Sequence, residues 1–424
     1  MKLIVHPSRL RGKIAVPGSK SHTIRAIATA LLTTGEMIIK NPLQSADTIS
    51  VLNVAAQLGL QVVTNHSNWR LHGPAGNFKS VTTTLNLGNS GTGLCILTAL
   101  AATQRKPYHF DGDASLRSRS MHSELQALTN LGARCDAVNG KCPYSVCGPL
   151  IGGETLVDGS NSQYLTALLF AAPLALGKTK IQLRFLREQP YVAMTLSWLR
   201  RAGIKIEHSE DLLNFQIAGQ QCYQSFTAAI PADFSTAAFP LAAAALIGDG
   251  MHLLHLDFND VQGDKVIFDF ARQMGVDFRV GADSVLVQPL QGSLRGGQFD
   301  LNACPDTLPV MAVLAALADG ETRLFNVAQA RQKETDRIAC MASELRKMGC
   351  RLQELDDGLL IQGGQLRGAE LSGHGDHRLV MALAVAAMAA EGASTIAGAE
   401  AAAVTYPDFV ADFQRLGAKM EMLG

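Results

Sequence analysis

Residues 331–350 read RQKETDRIACMASELRKMGC: a polar cluster, then an apolar-periodic segment that ends at a glycine. Five of the first seven residues are charged. Apolar side chains then recur with the spacing of one helical face, at Ile338, Met341, Leu345 and Met348. We therefore predict an amphipathic helix that opens in the charged cluster. Gly349 should end it, because a glycine in the left-handed conformation is a common helix terminator.

The same ending, a helix followed by glycine and a strand-like segment, occurs six times in the chain. The six glycines are Gly59, Gly132, Gly203, Gly275, Gly349 and Gly417. They recur about every 70 residues. A fixed period of this kind indicates a repeated structural unit and is the first constraint on the fold.

A second pattern, a polar loop that runs into a helix rich in Ala and Leu, has the same period. The loops are Gly18–Ser21, Gly88–Thr92 and Gly159–Gln163, then, each with an acid, Asp233–Ser235, Pro305–Thr307 and Gly375–Arg378. The helices predicted after them include Leu165–Leu176, Leu241–Ile247 and Leu379–Ala390, which are apolar nearly all round. Such helices are buried on every side. Each repeat thus reads as an α/β unit: strand, buried helix, strand, second helix and two strands.

Three loops without an acid followed by three with one predict two similar domains. The first strand precedes Gly18 and the loop type changes near residue 229, so we expect the chain to cross between domains at both places. One domain would contain residues 1–18 and 229–424, with the acidic loops and the charged cluster. The other would contain residues 19–228. A single large sheet is the alternative, but it would not need two sets of helices buried all round.

Composition excludes several classes of function. Lys plus Arg and Asp plus Glu both number 37 in 424 residues, so no overall field attracts nucleic acid or an anionic membrane. Any anion must be met by a local cluster. The eight cysteines are scattered without a zinc spacing and are expected to be reduced. No signal peptide precedes the strand-like start at Lys2, and apolar runs stop before membrane length, so we expect a soluble cytosolic protein.

The polar loops have a chemical meaning as well as a structural one. Gly/Ser loops at helix starts present backbone N–H groups that suit phosphate or carboxylate. Lys20, Ser21 and Arg25 add two cations and a hydroxyl to the first loop. Each loop alone fits a simple helix cap equally well. The charged cluster at 331–337 likewise fits either an ordinary helix start or a catalytic carboxylate held beside cations.

Taken together, these loops resemble the enolpyruvyl transferases, and most closely the branch of that family that acts on shikimate 3-phosphate. The matching motifs are Pro17–Ser21 with Arg25, Leu87–Thr92, Gly112–Asp113 with Arg119, Ser162–Gln163, Pro190–Tyr191, Gln262–Asp264, Asp306, Lys333–Arg337 and Asp376–Arg378. They run in the family's order over essentially the whole chain, and Lys333–Arg337 is the most specific. The sister branch acting on UDP-N-acetylglucosamine lacks that motif and carries a reactive cysteine near Arg119. Residues 111–122 contain no cysteine.

The resemblance implies a fold and a reaction. The fold is a two-domain inside-out α/β barrel of six βαβαββ units, three per domain, with helix starts facing an interdomain cleft. The reaction transfers the enolpyruvyl group of phosphoenolpyruvate to the 5-hydroxyl of shikimate 3-phosphate by addition and elimination through a tetrahedral intermediate. It releases phosphate and serves aromatic amino acid biosynthesis through chorismate. The family needs no cofactor or metal, and we expect a monomer.

The resemblance also implies roles for particular residues. The catalytic set is Lys20, Asp306 and Glu334. The set for shikimate 3-phosphate is Lys20, Ser21, Arg25, Thr92, Ser162, Gln163, Tyr191, Asp306, Gln329 and Lys333. The set for phosphoenolpyruvate is Lys20, Gly91, Arg119, Gln163, Arg337 and Arg378.

Six positions depart from the family pattern, of which Gln329, Asn161 and Ser120 are milder changes. Cys95 stands where an arginine usually serves the phosphoenolpyruvate side, and Val404 replaces a lysine that contacts its phosphate. Glu188 falls where a serine usually touches the phosphate of shikimate 3-phosphate. A carboxylate facing a phosphate is unfavourable unless it is protonated or turned away. A related transferase with another acceptor and a non-catalytic binder are therefore alternatives, although the intact set Lys20, Asp306 and Glu334 argues against the latter.

Overall fold

The computed structural model describes residues 1–65 and 67–424, which form two compact units. The first unit consists of Met1–Pro17 and Pro231–Gly424, and the second of Gly18–Ile230. The chain thus passes from one unit to the other after Pro17 and again after Ile230. That these units act as separate domains in function remains a prediction.

Six four-stranded sheets account for the strands within the part of the chain that the structure describes. In order along the chain these are β1 (Lys2–Val5), β2 (Leu10–Ala15), β3 (Glu36–Lys40), β4 (Gln61–Thr64), β5 (Asn68–His72), β6 (Leu85–Asn86), β7 (Tyr108–Asp111), β8 (Arg134–Val138), β9 (Lys141–Cys147), β10 (Gly153–Val157), β11 (Thr179–Leu183), β12 (Glu207–His208), β13 (Asn214–Ile217), β14 (Thr227–Ala229), β15 (Gly248–Leu254), β16 (Phe278–Val280), β17 (Ser284–Val287), β18 (Gln298–Asp300), β19 (Glu321–Phe325), β20 (Arg351–Leu355), β21 (Gly358–Gln362), β22 (Glu370–Ser372), β23 (Ser394–Ala397) and β24 (Met420–Leu423).

The helices fall between these strands at regular positions in each repeat. They are α1 (Lys20–Leu32), α2 (Ala46–Gln57), α3 (Gly91–Ala101), α4 (Ala114–Ser118), α5 (His122–Asn130), α6 (Ser162–Ala171), α7 (Gln189–Arg201), α8 (Phe234–Ile247), α9 (Val266–Gln273), α10 (Leu308–Ala316), α11 (Arg337–Lys347), α12 (His377–Ala389) and α13 (Phe409–Arg415).

All six sheets share one strand order. In the second unit the orders are β14-β3-β5-β4, β6-β7-β9-β8 and β10-β11-β13-β12, and in the first β2-β15-β17-β16, β18-β19-β21-β20 and β22-β23-β1-β24. The first two strands of each sheet are parallel, and the other pairings are antiparallel. The predicted fold class, α/β with six βαβαββ units, is therefore confirmed.

The repeats begin and end as the glycine pattern indicated. All six glycines have positive φ, between 79° and 115°. Gly349 follows α11, and its N–H donates to the carbonyl of Arg346 at 3.0 Å. One predicted helix is shorter than expected: α6 ends at Ala171, and a 3-10 turn spans Ala172–Leu174. Pro173 explains the early end, because proline has no N–H to continue the α-helical hydrogen bonds.

Each unit has its own apolar core around three helices that are buried nearly all round. These helices are α1, α3 and α6 in one unit and α8, α10 and α12 in the other. Because such helices are packed on every side, their N-terminal ends are held in fixed positions. The loop residues that precede them are therefore also held in place. Among the described residues, no helix is long and apolar enough to span a membrane.

Candidate functional site

The charged cluster of residues 331–337 leads into helix α11, which begins at the last residue of the cluster, Arg337. Asp336 is the N-cap, and its Oδ1 accepts a hydrogen bond from the backbone N–H of Ala339 at 3.0 Å. A capping aspartate has non-helical dihedrals, which leaves the preceding residues outside the helix. Glu334 therefore lies before the helix, and its carboxylate accepts a hydrogen bond from Arg337.

The guanidinium of Arg337 joins three carboxylates. Its Nη1 lies 2.7 Å from Oδ1 of Asp306, its Nη2 2.6 Å from Oε2 of Glu334, and its Nε 2.7 Å from Oδ2 of Asp376. Only 1% of the Arg337 side chain is exposed. Burial disfavours the charged guanidinium, but the three carboxylates outweigh burial and raise the pKa of Arg337. Arg337 therefore keeps its positive charge.

Asp306 bridges two arginines. Its Oδ2 lies 2.8 Å from Nη2 of Arg378, while its Oδ1 takes the contact from Arg337. Burial raises the pKa of Asp306, but Arg378, Arg337 and Lys333 together lower it well below the ordinary aspartate range. Asp306 is consequently ionised, so its oxygens accept hydrogen bonds and carry no proton to donate.

Arg378 is held by a short chain of hydrogen bonds from α8. Its Nη2 donates to Oγ of Ser235 at 2.9 Å, and that hydroxyl donates to Oδ1 of Asp233 at 2.5 Å. Asp233 is also the N-cap of α8 and accepts from the N–H of Thr236. Asp233 therefore orients the hydroxyl of Ser235 toward Arg378, one of the arginines predicted to bind substrate.

The turn that carries Asp376 is fixed by a residue that sequence reasoning missed. The buried carboxylate of Glu344 accepts from Nε2 of His374 at 2.8 Å, from the N–H of Ser372 at 3.0 Å and from Nζ of Lys347 at 2.8 Å. Burial raises the pKa of Glu344, but these hydrogen bonds outweigh burial and lower it. Glu344, near the C-terminal end of α11, thus fixes the loop before α12. Asp376 of that loop contacts Arg337 at the N-terminal end of α11. No motif signals this, because Glu344 is one polar residue among apolar helix positions.

Lys333 and Gln329, which are predicted to bind shikimate 3-phosphate, belong to the same unit as Asp306. Lys333, half-buried, is close enough to Asp306 to lower its pKa. Gln329 is buried, and its Nε2 donates to the carbonyl of Asn302 at 3.1 Å. The structure therefore brings Asp306, Lys333 and the acid–arginine cluster together.

In the second unit, the predicted residues cluster at the starts of α1, α3 and α6. Lys20 is the first residue of α1, and its Nζ pairs with Oδ2 of Asp47 at 3.1 Å. Arg25, one turn further, is buried and donates to Oγ1 of Thr195 at 3.0 Å and to the carbonyl of Tyr191 at 3.0 Å. Burial lowers the pKa of Arg25 to about 10. Its Nη1 also donates to the carbonyl of Ser21 at 2.9 Å.

The loop at the start of α3 meets the start of α6. Nε2 of Gln163 donates to Oγ1 of Thr92 at 3.0 Å. A Cβ at Gly91 would lie 2.8 Å from Nη1 of Arg119, so the guanidinium rests directly on this glycine. Nη2 of Arg119 donates to Oδ1 of Asn89 at 3.0 Å. The structure thus brings together Gly91, Arg119 and Gln163, three of the four predicted phosphoenolpyruvate residues of this unit.

Ser162, at the first position of α6, meets an acid. Its Oγ donates to Oε2 of Glu188 at 2.7 Å, and its backbone N–H donates to the same oxygen at 3.3 Å. Ser162 and Glu188 are both buried. The predicted substrate hydroxyl is therefore engaged by a carboxylate of the protein itself.

These two sets of residues can be compared with known proteins. The family model for EPSP synthase (3-phosphoshikimate 1-carboxyvinyltransferase) matches residues 4–413. The 3-phosphoshikimate 1-carboxyvinyltransferase of Acetivibrio thermocellus is 43% identical over 420 residues, covering 99% of each chain. That of Methanosarcina acetivorans is 39% identical and covers 100% of this chain and 99% of its own. The chain belongs to the EPSP synthase family.

Solved structures agree with this assignment. The EPSP synthase of Acinetobacter baumannii superposes with a TM-score of 0.83 at 25% identity, covering 99% of this chain and all of its own. The enolpyruvyl transferase NikO of Streptomyces tendae has a TM-score of 0.79 at 21% identity, over 99% of this chain and 98% of its own, and so supports the fold alone.

Val404 and Cys95, two of the positions that differ from the expected family residues, lie in different surroundings. Val404 ends a 3-10 turn that begins at Ala399, and it brings no charge. Cys95 is buried beside Gln163, with its Sγ 4.0 Å from Oε1 of the amide. Burial, with Glu124 adding to it, raises the pKa of the Cys95 thiol well above its ordinary value. Cys95 is therefore a neutral packing residue, and Arg119 is the cation of that loop.

Proposed function

We propose that the protein transfers the enolpyruvyl group of phosphoenolpyruvate to the 5-hydroxyl of shikimate 3-phosphate and releases phosphate. The observation that carries this proposal is the pair of carboxylates, Asp306 and Glu334, joined through one buried arginine. The reaction adds the hydroxyl across a carbon–carbon double bond and then eliminates phosphate. It needs one proton acceptor, one proton donor and cations for two anionic substrates.

In the addition step, Asp306 accepts the proton of the 5-hydroxyl of shikimate 3-phosphate. The oxygen of that hydroxyl bonds to C2 of phosphoenolpyruvate. Glu334 delivers a proton to C3, which becomes a methyl group. In the elimination, the C2–O bond to phosphate breaks, the methyl group returns a proton to Glu334, and the double bond forms again. Lys20 donates a proton to the departing phosphate, and exchange with solvent restores Lys20 and removes the hydroxyl proton from Asp306. These roles follow the resemblance and use only groups that the chain supplies.

The electrostatics of Asp306 support its role as a base that is switched on by substrate. In the free protein Arg337 and Arg378 hold its carboxylate ionised, so its proton affinity is low. An incoming carboxylate or phosphate competes for the same guanidiniums, since bidentate forks suit both anions. Each contact that Asp306 loses raises its pKa toward the range useful to a base. Binding of phosphoenolpyruvate thereby prepares the proton acceptor.

The remaining assignments extend this proposal. Arg119, Arg337 and Arg378, with Gly91, Gln163 and Lys20, bind phosphoenolpyruvate. The groups for shikimate 3-phosphate are Lys20, Ser21, Arg25, Thr92, Ser162, Gln163, Tyr191, Asp306, Gln329 and Lys333. We place the enzyme in the cytoplasm, as a monomer without a cofactor or metal, on the strength of the family resemblance. A second candidate, the same transfer to another acceptor, is favoured only by the contact of Glu188 with Ser162.

Conservative variants test the two carboxylates. Glu334→Gln and Asp306→Asn keep size and hydrogen bonding but cannot exchange the proton, so kcat should fall about 100-fold or more. Product formation from phosphoenolpyruvate and shikimate 3-phosphate is followed by mass spectrometry. Glu354→Gln is the matched control, because Glu354 pairs with Arg331 at 2.9 Å outside the cluster and should leave kcat unchanged. Full activity in Glu334→Gln would overturn the assignment.

A further inference from the structure

The carboxylate of Glu188 sits on the start of helix α6. Its Oε2 accepts from both the hydroxyl and the backbone N–H of Ser162, at 2.7 and 3.3 Å. Glu188 is 1% exposed. The next N–H of the helix, that of Gln163, donates to Oδ1 of Asn161 at 2.9 Å. The first two donors of α6 are thus already satisfied by the protein's own oxygens.

This position is the one that an anionic ligand would take. A helix start combines free N–H groups with the positive end of the helix dipole, and Ser162 adds a hydroxyl. The same hydroxyl is assigned to the phosphate of shikimate 3-phosphate under the proposed function. One oxygen of a carboxylate and one of a phosphate cannot occupy it together, so ligand binding at Ser162 requires Glu188 to leave.

The backbone of Glu188 has a left-handed conformation, which is unfavourable for a residue with a side chain. Its dihedrals, φ 57° and ψ 38°, are left-handed, which costs a residue with a Cβ about 1 kcal/mol. Glu188 is also the residue before α7, yet its side chain makes no capping bond to that helix. The side chain reaches instead to α6. Its contact with Ser162 is therefore not explained by the capping of its own helix.

We propose that Glu188 is an internal competitor for the acceptor phosphate and sets the affinity of the enzyme for its acceptor. In the free protein the carboxylate occupies the donors of Ser162. The phosphate of shikimate 3-phosphate has to displace it and then tolerate a nearby like charge. Like charges opposed in a binding site are unfavourable, so the residue weakens acceptor binding and leaves phosphoenolpyruvate binding unaffected. This inference rests on the proposed function of Ser162.

The test compares the dissociation constant of shikimate 3-phosphate, by calorimetry, in the wild type, Glu188→Ser and Glu188→Gln. Removal of the competing charge by serine should tighten binding about 10-fold or more, and glutamine, which keeps the size, should tighten it less. The KM for phosphoenolpyruvate should stay within about two-fold. Glu154→Gln is the matched control: it removes an exposed carboxylate paired with Lys180 in the same repeat and should change neither constant.

The outcomes separate this inference from the function on which it rests. Turnover of shikimate 3-phosphate by the wild type, with binding unchanged or weakened in Glu188→Ser, would overturn the competitor role and leave the function standing. Tighter binding in both Glu188 variants would support it, including the case in which only the variants turn over. Absence of binding in every protein would remove both proposals. If the serine variant does not fold, Glu188→Gly, which accepts a left-handed φ, replaces it.

Discussion

Arg337 and Arg119, two arginines assigned to the same substrate, stand in opposite surroundings. Arg337 is buried and contacts three carboxylates within 2.7 Å. Arg119 donates to neutral oxygens, those of Asn89 at 3.0 Å and Ser115 at 3.3 Å. Within residues 1–65 and 67–424, the buried Nε of Arg119 has no hydrogen-bond partner. The guanidinium of Arg337 is thus paired with carboxylates, whereas that of Arg119 is bound to neutral groups.

The difference separates two ways to prepare an anion site. Around Arg337, a ligand must compete with carboxylates, and its arrival changes their proton affinity. Around Arg119, a ligand meets a cation held by neutral oxygens, so contact adds attraction without breaking a direct arginine–carboxylate pair. The first arrangement suits acid–base chemistry, and the second suits binding. The predictions below test this contrast, beginning with the largest effect.

Removal of each guanidinium should have unequal effects on stability. Arg337→Met leaves three carboxylates without their shared cation, so the free energy of unfolding should fall by about 3–5 kcal/mol. Arg119→Met loses neutral hydrogen bonds only and should cost about 1 kcal/mol. Urea unfolding of the two variants beside the wild type measures both. Equal losses would mean that the carboxylates around Arg337 do not depend on it.

A methyl group at Gly91 should disturb Arg119 alone. The added Cβ would lie 2.8 Å from its Nη1, so the guanidinium must shift away from the loop. We expect Gly91→Ala to raise the KM for phosphoenolpyruvate about 10-fold, since small displacements of a positioned group are costly. The dissociation constant of shikimate 3-phosphate should change little. Gly364→Ala is the control, because nothing lies within 4 Å of its Cβ. An unchanged KM would mean that Arg119 does not bind that substrate.

Glu124, near the Arg119 loop, should affect only the pH dependence of stability. Its carboxyl is fully buried, and neither oxygen has a well-aligned hydrogen bond among the described residues, although the Cys95 thiol lies beside it. Burial raises the pKa of Glu124 well above its ordinary value. The folded protein therefore keeps a proton that the unfolded chain releases as pH rises, and this lowers stability at higher pH.

Glu124→Gln removes that titration. The variant and the wild type should be equally stable near pH 4, where both forms of the wild type are protonated. At pH 8 the variant should be more stable by about 1 kcal/mol or more, because each unit of pKa shift corresponds to about 1.4 kcal/mol. Chemical unfolding at the two pH values measures the difference. A constant difference across this range would show that Glu124 is ionised in the folded protein.

The sequence predicted the features that depend on local pattern. The six glycine turns and the apolar helices have a fixed period, and each has a local physical cause. The exact first residue of α11 is not readable from the sequence, because it depends on the side chain of Asp336, which caps the helix. A cluster of charges does not reveal which of its members is the cap.

The contacts that decide the site come from distant parts of the chain. Arg25 meets Thr195, 170 residues away, and Glu344 meets His374, 30 residues away. The departure at Glu188 was visible as an acid at an unexpected place. Its contact with Ser162 was not, because it depends on a left-handed backbone and on the packing of α7 against α6. Such contacts require the folded structure.

The measurement that most directly tests the central claim is phosphate release from phosphoenolpyruvate by the purified protein, with and without shikimate 3-phosphate. The account predicts release that depends on the acceptor, with the enolpyruvyl ether of shikimate 3-phosphate formed in equal amount. It also predicts that Glu334→Gln lowers both rates about 100-fold or more. Failure to release phosphate while shikimate 3-phosphate still binds, or release at the same rate without it, would contradict the claim.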